Sequence, residues 1–143
     1  MSIQAIRYAK GGDVATISPN ASIKSAADSL VERNIAALVV TEGESILGVV
    51  SEREIVQAYS RHGTRIGAMT VRDIVSPGLV SVSPEDSLKR AMTLMTRHRK
   101  RHLPVLSEGR LAGIVSLGDV VKHRLEDLEL KTNNLRDAHF TTH

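Results

Sequence analysis

The 143-residue chain has no cysteine and no tryptophan, and Tyr8, Tyr59 and Phe140 are its only aromatic side chains. Without thiols there can be no disulfide, no thiolate nucleophile and no cysteine-ligated zinc. So few aromatics leave no platform for stacking bases, which argues against recognition of RNA or single strands. Any core must be assembled from Val, Ile, Leu, Ala and Met. No hydrophobic run approaches the roughly 18 residues of a membrane span, and Met1 to Gly12 lacks the apolar stretch of a signal peptide. A soluble, cytoplasmic protein without membrane contact is expected. The remaining composition, 41% hydrophobic and 24% charged with a formal charge of +3, is ordinary for a globular domain and mildly favours anionic partners. One domain of this length can bury roughly 68–70% of its unfolded surface.

What the chain does have is a repeat. Displacement by 65 residues lays Ser18-Pro19 on Ser83-Pro84, Ser22 on Ser87, Gly48 on Gly113 and Ser51 on Ser116. In the middle, a one-residue shift pairs Val39 with Val105 and Glu42-Gly43 with Glu108-Gly109. Each copy reads β-α-β-β-α. A strand (Val14–Ile17; Leu79–Val82) stops at Ser-Pro, and a helix follows whose apolar stripe is Ile23, Ala26, Ala27, Leu30 or Leu88, Ala91, Met92, Met95. Two β-rich runs separated by a glycine-containing turn come next, and Ser51 or Ser116 then opens a second helix as its N-cap. The expected class is α/β (α+β), with repeats at about 13–61 and 78–124. A linker helix is expected at about 62–78, and a helical extension and tail over 125–143. Val121, Leu125 and Leu128, with Leu135 beyond, form an apolar stripe past the second repeat, read as a surface for a homodimer partner.

Three segments carry a family pattern: Leu103-Pro104-Val105-Leu106, Gly113-Ile-Val-Ser116-Leu-Gly-Asp119 and Gly48-Val-Val-Ser51-Glu-Arg-Glu54. With the Ser-Pro turns they resemble the CBS domain, named after cystathionine β-synthase. The resemblance implies a two-repeat disc with pseudo-twofold symmetry and two clefts between the repeats. In that family the clefts commonly hold adenine nucleotides (AMP, ADP, ATP, sometimes NAD(H)) or S-adenosylmethionine. Such discs often pair into homodimers, and the module regulates another protein, unidentified here, without catalysing anything.

By this resemblance Asp119 holds ribose hydroxyls and Ser116 contacts phosphate or ribose. Both sit at a helix start, where free N–H groups and the dipole favour an anion, and simple capping explains them equally well. Ser51 and Glu54 are in the first place a capping box, and Glu54 departs from the family's aspartate; if one cleft is empty, it is the one using Glu54. Arg101 and His102 precede the Leu-Pro-Val strand, where AMP-binding kinase γ-subunits place phosphate-contacting basic residues. Arg97 and Arg99 are accounted for by the dipole at a helix C-terminus. Arg53 adds a candidate phosphate contact, Ala36 and Ala37 an apolar surface for a base, and Pro104, Thr16 and Ser81 complete the expected nucleotide site. The His98/His102 pair lacks a third ligand and the His139/His143 pair lies in a tail expected to fray, so no metal site is expected. Gly-x-Ser-x-Gly, Gly-x-x-x-x-Gly-Lys and His-Glu-x-x-His are all missing, so no enzyme and no catalytic cofactor is expected. The competing reading is an interaction protein with vestigial clefts, whose basic face meets an acidic protein or nucleic acid; no helix-turn-helix or zinc-finger pattern supports it.

Overall fold

The structure is a computed structural model describing residues 1–76 and 78–141, with side chains through Asn133. Leu135 and the His139/His143 pair therefore lie outside the described side chains. In chain order the elements are β1 (Ala9–Lys10), β2 (Thr16–Ile17), α1 (Ile23–Glu32), β3 (Ala37–Glu42), β4 (Ser45–Ser51) and α2 (Glu52–His62). They continue with α3 (Val71–Ile74), α4 (Leu88–His98), β5 (His102–Ser107), β6 (Arg110–Ser116) and α5 (Leu117–Thr141). Two three-stranded sheets result, ordered β2-β3-β4 and β1-β6-β5.

β3 and β5 are the apolar runs of the sequence; β3 is central in its sheet and β5 lies between β6 and the single Val82 bridge, so both bury successive residues and show no alternation. Their partners β4 and β6 alternate in burial in the same pattern, residue for residue. The hairpins correct the repeat alignment. Each ladder slips at Val40/Thr41 or Val105/Leu106, and the turns close at Glu42–Ser45 and Ser107–Arg110. The 65-residue offset thus holds throughout, Val40 corresponds to Val105, and the one-residue shift disappears. The first strands are shorter than expected: β2 keeps only Thr16–Ile17, and the second repeat retains a single parallel bridge from Val82 to Val105. The expected linker helix is broken. Gly63, at φ 57, ends α2; 3-10 turns occupy Gly63–Ala68, and Thr70 restarts the chain as the cap of a four-residue helix. No helix among the described residues is long and apolar enough to cross a membrane.

The N-terminal segment crosses to the far sheet. Ile3 and Ile6 are buried in the core of the second unit with Leu88, Ala91, Met95 and Leu103. The amides of Ile3 and Gln4 donate to the carbonyls of Asp86 (2.8 Å) and Pro84 (2.9 Å), and the Leu88 amide donates to Met1 (3.1 Å). The linker repeats this on the first unit: Val71 and Arg72 donate to Ala21 and Pro19, both at 2.9 Å, and Ile23 donates to Met69. Val71 lies in the core of that unit. The two straps are a repeat of their own, Met1-Ser-Ile-Gln-Ala-Ile6 against Met69-Thr-Val-Arg-Asp-Ile74, displaced by 68 residues.

Each strap passes over a hairpin glycine. A Cβ on Gly113 would stand 2.5 Å from the Ala9 carbonyl oxygen and 2.6 Å from the Tyr8 ring, and one on Gly48 would stand 2.9 Å from Val75. Gly113→Ala should therefore push the N-terminal strap off its sheet edge at a cost of about 1–3 kcal/mol. Gly12→Ala, with nothing within 4 Å of its Cβ, should be nearly silent. Chemical denaturation of both variants, with limited proteolysis at residues 1–10, checks this.

Candidate nucleotide cleft between the repeats

A cleft of about 530 Å³ opens between the two units, lined from one side by β4 and α2 and from the other by the turn joining α4 to β5. Local geometry sets both walls. Ser51 caps α2 in a complete capping box with Glu54, so the first turn of that helix faces the opening. Across from it, α4 ends at Arg99 in the left-handed conformation, φ 54. Its counterpart in the first repeat is Asn34, φ 51, a residue that tolerates this conformation far better than arginine does. The Lys100 amide closes the turn on Met95 (2.9 Å), and the Arg101 carbonyl accepts from the first amide of α5, Leu117 (2.8 Å). Ala36 does for Glu52 what Arg101 does for Leu117, and these paired positions line the same cleft.

The cleft is cationic. Arg53, Arg99, Lys100 and Arg101 face two carboxylates, Glu52 and Glu54. Lys100 is 3.8 Å from Glu54 Oε1 and donates to Ser76 Oγ at 2.9 Å. Among the described residues no carboxylate lies within 4.0 Å of Arg53, Arg99 or Arg101; Arg53 instead donates to the Arg99 carbonyl at 3.4 Å. A small slot leads off between Gly48, Val80 and Pro104, with His102 and Lys100 at the junction.

Of the expected site residues, Ser51, Arg53, Glu54, Ala36, Arg101 and His102 come together here, and Pro104 lines the slot. Ser116 and Asp119 do not line it. They cap α5 for each other, with the Asp119 amide donating to Ser116 Oγ (3.0 Å) and the Ser116 amide to Asp119 Oδ2 (2.9 Å). Ala37 is buried inside β3, Thr16 is exposed on β2, and Ser81 precedes the Val82 bridge, all away from the cleft lining. Sequence reasoning left out Lys100, Gln57 and Ser76, assigned Arg99 only to helix-end electrostatics, and weighed His98 only as half of a metal pair. The left-handed turn at Arg99 brings His98 through His102 to the opening. Among the described residues no group of three or more His, Asp or Glu could hold a metal ion.

A family model of the CBS domain matches residues 10–61 and 71–126, and the chain belongs to that family. It is 36% identical over 114 residues to the CBS domain-containing protein YhcV of Bacillus subtilis, covering 80% of this chain and 81% of that protein. It is also 36% identical over 109 residues to the mitochondrial CBS domain-containing protein CBSX3 of Arabidopsis thaliana, covering 71% of this chain but only 52% of the relative. Among solved structures, the CBS-domain protein ATU1752 of Agrobacterium tumefaciens superposes with a TM-score of 0.75 at 39% identity, over 80% of this chain and 91% of that one. CBSX2, solved in complex with AMP, has a TM-score of 0.73 over 87% of this chain and 96% of that one; at 24% identity this is a likeness of fold.

Burial lowers the pKa of His102 from its ordinary 6.5, against the opposing pull of Glu54, Asp119 and Glu52. A histidine kept neutral by the fold binds fewer protons folded than unfolded, so its contribution is complete above pH 6.5 and is lost as pH falls through the lower folded value. Melting temperature should drop as pH falls from 6.5 through that lower value, and His102→Gln should remove this part of the pH dependence. Differential scanning calorimetry of both proteins across the acid range measures it.

Proposed function

We propose that this is a non-catalytic regulatory module whose inter-repeat cleft binds an adenine nucleotide (AMP, ADP, ATP or NAD(H)) by its phosphate. The observation that carries the reading is the set of three arginines, Arg53, Arg99 and Arg101, around one opening with no carboxylate partner within 4.0 Å among the described residues. Guanidinium groups so placed repel one another, and a phosphate relieves that repulsion while accepting several charge-assisted bonds. The strained backbone of Arg99 supports the same reading, because a left-handed arginine persists only where its surroundings hold it. CBSX2, the fold neighbour solved with AMP, lends its support at the level of the fold. Ser116, at the cap of α5, and Asp119, in its first turn, would serve a second cleft.

Calorimetric titration with AMP, adenosine and a short DNA duplex tests the reading. AMP should bind well and adenosine weakly, and Arg101→Ala should erase most of the difference, a loss of roughly tenfold to a hundredfold. Equal affinity for AMP and adenosine contradicts the phosphate role. Tight duplex binding that falls steeply with salt would instead favour the interaction protein with a basic face.

The homodimer belongs to the same proposal. On α5, Val121, Leu125 and Leu128 are 37%, 55% and 44% exposed, spaced to share one helical face. A second copy of this chain would cover them. Sedimentation should show a dimer at micromolar concentration and a monomer for Leu125→Glu; a monomeric parent protein contradicts it.

A further inference from the structure

We infer that Lys100 makes this cleft indifferent to the ribose hydroxyls, so that it takes ribo- and deoxyribonucleotides alike. The inference rests on the nucleotide reading of the cleft and adds its specificity. A carboxylate that reads a diol needs acceptor oxygens open to the ligand. Both of those of Glu54 already face a partner. Oε2 accepts from the Ser51 amide (3.2 Å) and the Ser51 hydroxyl, and Oε1 faces the Lys100 ammonium at 3.8 Å. Glu54 is only 7% exposed. Lys100 enters from the opposite repeat and is itself anchored, donating to Ser76 Oγ at 2.9 Å.

The extra methylene of glutamate allows this arrangement: the side chain folds back on its own N-cap and still meets a cation across the cleft. Asp119 is the contrast within the same chain. Its Oδ2 accepts from the Ser116 amide, and no cation lies within 4.0 Å of it among the described residues. It is half-buried, and it does not line this cleft. A ribose diol arriving at Glu54 would have to break a largely buried ion pair and leave Lys100 unmatched, which cancels what its own hydrogen bonds bring. A phosphate arriving at Arg53, Arg99 and Arg101 breaks no such pair.

The experiment titrates AMP and 2′-deoxy-AMP into the protein and into Asp119→Asn, which keeps a cap acceptor while removing the other cap carboxylate. In Asp119→Asn the two dissociation constants should agree within threefold. Adding Lys100→Met, which keeps the length of the side chain without its charge, should weaken both nucleotides and raise their ratio more than threefold, because Glu54 is released. A ratio above three before Lys100 is changed overturns the inference and leaves nucleotide binding standing, and this arm stands even if Lys100→Met fails to fold. A ratio that Lys100→Met leaves where it was shows that Lys100 is not the cause. Binding to the parent that Asp119→Asn abolishes places the nucleotide beside Asp119 and overturns it too. If neither nucleotide binds the parent protein, the nucleotide reading itself has failed, and this inference with it.

Discussion

The architecture depends on the crossing of two straps over two glycines. Ile3 and Ile6 complete the core of the unit built from the C-terminal half, and Val71 completes that of the N-terminal half. Each such side chain contributes about 1.5–3 kcal/mol by leaving water, so each sheet is closed by a strap that lies just ahead of the other in the chain. Gly48 and Gly113 make the crossings possible, because any side chain there would collide with the strap. The halves are thereby interleaved, and the walls of the cleft are fixed by the same contacts that close the cores.

That crossing explains why the cleft mixes motifs. The capped start of α2 belongs to the first repeat and the basic turn after α4 to the second, and they meet because the repeats face each other. Concentrating Arg53, Arg99 and Arg101 in one opening is tolerable without a ligand because all three remain exposed to solvent. Among the described residues, the one cation within 4.0 Å of a buried carboxylate, Lys100, also donates a hydrogen bond to the linker at Ser76. On the proposed reading, permanent cations at the rim and a neutralised wall behind them would attract anions and discriminate mainly by phosphate.

Much of this was legible in the sequence. Hairpins announced themselves by β-branched runs flanking Gly43 and Gly109, and the helix starts by Ser51-x-x-Glu54 and Ser116-x-x-Asp119, because turns and caps are local chemistry. The N-terminal strap was not read, although its 68-residue match to Met69–Ile74 was there to find; a six-residue similarity at a different offset from the main repeat is easily passed over. Arg101 and Asp119 were brought together by the family resemblance, whereas in the fold Arg101 shares its cleft with Glu54 of the other repeat. Lys100 drew no attention because a lysine within Arg97–His102 looks like a solvated helix end until the left-handed turn at Arg99 shows where it points.

The most direct test of the account is a crystal structure of the protein grown with AMP. The account predicts phosphate density bounded by Arg53, Arg99 and Arg101, with Lys100 still beside Glu54. Phosphate density against Ser116 and Asp119, with the basic cleft unoccupied, would contradict it.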